Sequence, residues 1–204
     1  MITLQFLVTA FVVVIAPGTG VVYTLAVGLG RGRRAAMAAA FGCTFGIVPA
    51  FLAAMFGLAA LLHTSALLFN AVKFAGVAYL LWMAWGALRQ TGAVAVRADR
   101  GTGSLLRVAW RGTLLNVLNP KLSIFFLALL PPFLSGKVAT AASEMASLGA
   151  VFMAMTFAVF VAYGLFAGAF RDAVLSSARA MAWLNRGFAA VFAALAGRLA
   201  LERA

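Results

Sequence analysis

From Met145 to Phe170 the chain carries no charged side chain. A helix needs roughly 20 apolar residues to cross the hydrocarbon of a bilayer, and this run exceeds that. Hydrocarbon offers the backbone no water, so a segment of this kind must satisfy its own peptide groups by coiling into a helix. Comparable runs recur at about 2–30, 36–62, 66–88, 112–134, 139–170 and 181–200. The expected fold is an all-α polytopic membrane protein of about six transmembrane helices, with the lipid bilayer as its surroundings. Arg186 and Arg198 fall in or near the last run, which leaves five spans as the alternative count.

The charges say which way round such a chain sits. There are 16 Lys and Arg against 4 Asp and Glu, a net charge of +12. On a soluble protein that excess would suggest nucleic acid. Here the cations punctuate apolar runs instead of lining a face, so no nucleic-acid partner is expected. Arg31, Arg33 and Arg34 follow the first run; Arg89, Arg97, Arg100, Arg107 and Arg111 follow the third; Arg171 and Arg179 follow the fifth. Positive residues stay in the cytoplasm, which puts both termini on the outer side, the periplasmic side if the membrane is a bacterial inner one. Trp82, Trp85, Trp110 and Trp183 then fall near the cytoplasmic interface, as an aromatic belt would. The opening "MITLQFLVTAFVVVIAPG" lacks the basic start of a cleavable signal and is expected to stay in the mature protein. The sole cysteine, Cys43, excludes an internal disulfide and reads as a packing residue.

Residues 90–106, "QTGAVAVRADRGTGSLL", form the one long polar stretch and read as a flexible cytoplasmic loop. They divide a single transmembrane domain, 1–204, into halves at about 1–89 and 107–204. With three spans in each half, the second runs inverted relative to the first. That makes two prolines informative. Pro17 lies in "IAPGTG" and Pro120 in "NVLNPKL", each in the first span of its half. Proline removes a backbone donor, and the neighbouring Gly18 and Gly20 loosen the turn after it. Paired breaks at corresponding places in inverted halves are the mark of a transporter's substrate site. The candidate substrate-binding set is Pro17, Gly18, Thr19, Gly20, Asn116, Asn119, Pro120 and Lys121. A plain kink is the other reading of one proline, snorkelling to headgroups that of Lys121, and backbone capping that of the two asparagines.

Other residues carry weaker signals. Lys73 and Arg186 occupy matching places in the third and sixth spans, where they either line an exit or snorkel. Glu144 is the sole acid inside a span, either a proton carrier or an interface residue. Ala38, Gly42 and Gly46 lie four apart on one helix face and allow close helix approach, within the protomer or in a homo-oligomer. His63 reads as a loop residue, Asp172 as a local partner of Arg171, and Tyr23, Tyr79 and Tyr163 as hydroxyls for a cavity or an interface. One histidine and one cysteine make no metal set. No serine adjoins a base, and no phosphate-cradling loop is present. Neither an enzyme, a cofactor nor an ATP-driven pump is expected.

The stretches "GLGRGRRAAMAAAFGCTFG", "LLFNAVKFAGVAYLLWMAWGALR" and "NVLNPKLSIFFLALLPPF", together with the break in span one, resemble the LysE/RhtB family of amino-acid exporters. The likeness runs through nearly the whole chain in order. It implies a bacterial inner-membrane protein that expels amino acids or related small zwitterions, driven by the proton-motive force. By position Pro17 and Gly18 match the family's first motif, and Asn119, Pro120 and Lys121 its second. Gly42 and Gly46 match its small-residue helix. Thr19 and Gly20 stand where members usually continue Pro-Gly-Pro, and Ile47 stands where many carry an aspartate. Export of a metabolite other than an amino acid, or a non-transporting scaffold role, remain the alternatives.

Overall fold

A computed structural model describes residues 2–16, 18–62, 66–89, 96–119, 122, 125–127, 130–135, 137–170 and 177–201. Pro17, Pro120 and Lys121 lie outside the described residues, as do His63, Arg171 and Asp172. The helices are α1 (Leu4–Ile15), α2 (Thr19–Arg31), α3 (Arg33–Phe45), α4 (Val48–Leu62), α5 (Ala66–Arg89), α6 (Leu105–Val117), α7 (Val138–Leu165), α8 (Ala167–Phe170) and α9 (Ala178–Leu201). A 3₁₀ turn, Pro131–Phe133, precedes α7. Among the described residues, three stretches are long and apolar enough to cross a membrane: Arg33–Gly57, Ala139–Leu165 and Ala178–Leu201. The pair α1 and α2, inclined at 56°, makes a fourth as one bent span. The surface agrees with that setting. Phe11, Phe41, Phe45, Phe56 and all four tryptophans are exposed, an apolar coat that water would not tolerate over so large an area.

Local chemistry explains where the helices stop. Thr3 caps α1 by accepting from the Phe6 amide at 3.2 Å. Between α2 and α3 the chain turns at Gly32, whose φ of 79° favours a residue without a Cβ. The second expected span, 36–62, proves to be two helices with a turn at 46–47. There Ile47 N–H donates to Thr44 O at 3.0 Å and so abandons Cys43 O. Pro49 has no N–H with which to reach Phe45 O. Two expected boundaries also move outward. Ser104 accepts from the Arg107 amide at 3.3 Å, which starts α6 at Leu105 and puts Arg107 and Arg111 on the helix. Ser177 caps the last helix likewise, by accepting from Ala180 at 3.2 Å.

The two sets of spans interleave. α5 packs along α9, α3 along α6, and α1 and α2 against α7; α3 also touches both α2 and α7. The α3–α6 contact is backbone against backbone. A Cβ on Gly42 would run into the Ala109 carbonyl, and one on Gly46 into Thr113 O. One on Gly112 would lie 3.0 Å from both Ala39 O and Cys43 N. Ala35, Ala39, Gly42 and Gly46 are the buried row, while Ala38 sits half-buried at its rim. Without a hydrophobic drive between helices in lipid, such close approach supplies the dispersion that holds them. An aromatic core fills the other end: Phe126 meets Phe51 at 5.6 Å and Phe152 at 5.1 Å, both edge to face.

The described part of the polar connection is not free. Asp99 N–H donates to Ala26 O at 2.9 Å, and Arg31 donates to Gly103 O. Gly30 leaves the groove in which the Asp99 backbone rests. Residues 96–104 are thus strapped to the arginine-rich end of α2, although their composition alone reads as a loose loop. At the opposite end Arg198 donates to Gln5 Oε1 at 2.8 Å and to Pro132 O, with its guanidinium 4.6 Å over Phe133. These partners explain how the last helix carries an arginine, and they tie α1, the 3₁₀ turn and α9 together. Arg198→Gln is expected to cost on the order of 1–3 kcal/mol, read as a lowered melting midpoint in detergent. An unchanged midpoint would show that the three-way tie carries no stability.

Candidate functional site

The site begins where α1 stops. Its C-terminal carbonyl at Ile15 is taken by the Tyr163 hydroxyl of α7, at 2.8 Å. Gly18 is the N-cap of α2 and offers no side chain to its first amides. Val22 N–H returns to Gly18 O at 3.0 Å, leaving the amides of Thr19, Gly20 and Val21 with no partner inside the helix. Those three N–H groups stand at the positive end of the helix dipole.

The second half approaches from α6. Asn116, buried in the last turn, donates its side-chain amide to Cys43 O at 2.6 Å. This is the carbonyl that the turn at Ile47 left unbonded. Thr113 adds a bond from its hydroxyl to Gly42 O at 3.1 Å. The helix then ends, and Asn119 comes next with its N–H on Asn116 O and its own carbonyl accepting from Leu122, each at 3.1 Å. The α1–α2 break and the end of α6 therefore meet, and the carbonyls freed at Ile15 and Cys43 are each held by a side chain from another helix. Tyr163→Phe would strand the Ile15 carbonyl. The expected loss is about 1–3 kcal/mol, the cost of an unmade bond to a buried polar group. Thermal unfolding checks it, and wild-type stability would show that the carbonyl finds another donor.

Between the two breaks lies a cavity of about 170 Å³, smaller than the roughly 300–1,000 Å³ of a drug-sized site. Gly18, Thr19, Gly20, Asn116 and Asn119 line it together. Its remaining wall includes Ile47, Met83, Phe125, Phe152, Thr156, Phe160 and Phe192. Gly20 has a steric reason to be glycine, since a Cβ there would stand 2.8 Å from the Phe160 ring. Thr156 donates to Phe152 O at 2.8 Å, which leaves its oxygen only accepting capacity. Among the described residues no ionisable side chain lines this space, and no group of three metal-ligating side chains comes together.

The three charged residues considered for the lining stand elsewhere. Lys73 lies 4.8 Å over Phe74, and Arg186 is exposed, 5.7 Å over Trp183. Glu144 is half-buried near the start of α7, where its oxygens accept from Ser135 N–H at 2.8 Å and from the Ser135 and Thr140 hydroxyls at 2.7 Å each. It ties down the turn before α7. Each of the three thus has a local partner outside the cavity. Several lining residues escape a reading of the sequence. Pro49 beside Gly46 was a signal for the break in span two, and so for Ile47. The Phe152–Thr156–Phe160 row needed knowledge of which face of α7 looks inward.

Comparison with known proteins bears on what this site serves. Over 200 residues the chain is 27% identical to a leucine efflux protein of Enterobacter sp. (strain 638), covering 96% of this chain and 93% of that one. Over 198 residues it is 28% identical to the homoserine/homoserine lactone efflux protein of Salmonella typhimurium, covering 97% and 95%. An uncharacterized membrane protein of Vibrio cholerae is 34% identical over 134 residues, 64% of each chain. No solved structure matches the chain. The family model for the LysE type translocator matches residues 11–203, and with nearly its whole length inside that match, this chain belongs to the LysE translocator family.

Proposed function

We propose that the protein exports amino acids across the bacterial inner membrane, binding each as a zwitterion in the cavity between its two broken spans. The observation that carries this reading is the convergence of Gly18–Gly20 and Asn116–Asn119 on one small cavity. The carboxylate sits on the open first turn of α2, where amides and dipole favour an anion. The ammonium group faces the Asn119 amide oxygen and the Thr156 hydroxyl oxygen. Lys121, next to Pro120 in the sequence, adds positive potential for the carboxylate. The relatives named as leucine and homoserine efflux proteins support the direction and the substrate type.

Helix pairing supports two inverted halves. α5 and α9, the third spans, pair with each other, while α1 with α2 meets α7 as α6 meets α3. An inverted repeat exchanges partners in this way, and rocking one set against the other opens the cavity to either side in turn. With the arginine-rich end in the cytoplasm, the strap at 96–104 closes the inner side and the Arg198 tie the outer. In this reading the proton-motive force supplies the energy, as the resemblance to the family's exporters implies. The test is efflux from bacteria loaded with dipeptides, comparing the protein, Lys121→Ala and empty vector at matched expression. Faster appearance of particular amino acids outside, lost with an uncoupler and in the variant, is expected. Identical efflux from all three strains would overturn export.

A further inference from the structure

The cavity has a direction. Phe152, Thr156 and Phe160 lie four apart on one face of α7, so the outer two are separated by about 12 Å along the helix. Phe160 marks the polar end, because its ring covers Gly20, where an added Cβ would also lie 3.6 Å from the Asn116 side-chain nitrogen. Phe152 marks the other end, 6.2 Å from Phe125, which in turn stands 6.5 Å from Phe192. A zwitterion seated on α2 therefore points its side chain at these rings and at Ile47.

We infer that the Phe125–Phe152–Phe192 end is an apolar side-chain subsite, and that the protein selects neutral amino acids with aliphatic or thioether side chains, with Ile47 as a specificity-determining residue. This rests on the export reading above. The relatives' names span an apolar and a hydroxylated amino acid, and the chemistry of this end favours the first. A substrate hydroxyl reaching the rings loses its water, and beyond Thr156 midway along no described residue of that end offers it a side-chain donor or acceptor. A cationic side chain fares worse, because no described lining residue offers a countercharge. Ile47 lines the same cavity as Phe125, so a change in its chemistry alters the wall that the substrate side chain faces.

Counterflow in proteoliposomes tests this. Vesicles are loaded separately with leucine, methionine, homoserine or lysine, and entry of the same labelled amino acid is measured. Leucine and methionine are expected to exchange at least about tenfold faster at low concentration than homoserine, and lysine at background. Ile47→Val should keep that ranking, whereas Ile47→Asn should narrow the leucine-to-homoserine ratio about tenfold. Should Ile47→Asn fail to fold, the wild-type series alone decides. Homoserine or lysine exchanging as well as leucine would overturn the apolar subsite and leave amino-acid export standing. Absence of counterflow with every amino acid would overturn both.

Discussion

Gly42→Leu is expected to yield no monodisperse protein in detergent. A Cβ at this position already meets the Ala109 carbonyl, which is backbone and cannot swing aside. Overpacking by extra carbon typically costs about 1–3 kcal/mol, and more where the neighbour cannot move. Retreat of α6 would give up the backbone contacts of Gly46 with Thr113 O and of Gly112 with α3. Pushing the helices apart would also break the bonds from Thr113 to Gly42 O and from Asn116 to Cys43 O. Gly168→Leu is the control, since nothing lies within 4 Å of a Cβ there. Size-exclusion profiles of the two variants give the answer. A normal peak for Gly42→Leu would mean that α3 and α6 do not touch as described.

Asn116→Leu is the second large effect, and it acts on stability and transport together. Leucine keeps most of the volume but removes the donor to Cys43 O, leaving a buried carbonyl unpaired at about 1–3 kcal/mol. It also takes an amide out of the cavity wall. Counterflow per mole of monodisperse protein is expected to fall at least about tenfold, together with a lowered melting midpoint. Lost stability with normal counterflow would reduce Asn116 to a cap for the turn at Ile47.

Much of this was readable from the sequence. The apolar runs and sparse acids point to a membrane, and α5 runs Ala66–Arg89 against an expected 66–88. Gly18, Thr19, Gly20, Asn116 and Asn119 come together although about a hundred residues separate the two groups in the chain. What stayed hidden has one main cause. In lipid the outside of a helix is as apolar as its packed side, so periodicity no longer says which face is inward. On α5 Leu80 is fully buried while Leu81 and Trp82 next to it are exposed, and nothing in their chemistry separates them. The same blindness hid the Phe152–Thr156–Phe160 row and the role of Tyr163. The strap at 96–104 was obscured differently, because its anchors are backbone groups and one glycine groove on α2. Composition carries no trace of either.

Substrate protection of a thiol at position 19 reads the central arrangement most directly. Cys43, the sole native cysteine, is fully buried and gives a silent background. In reconstituted Thr19→Cys protein, leucine is expected to slow modification by a small charged thiol reagent several-fold. A thiol in place of exposed Lys137, the N-cap of α7 and no part of the cavity wall, should react at the same rate with or without leucine. Unchanged reactivity at position 19, in protein that exchanges leucine, would contradict a substrate site between the two broken spans.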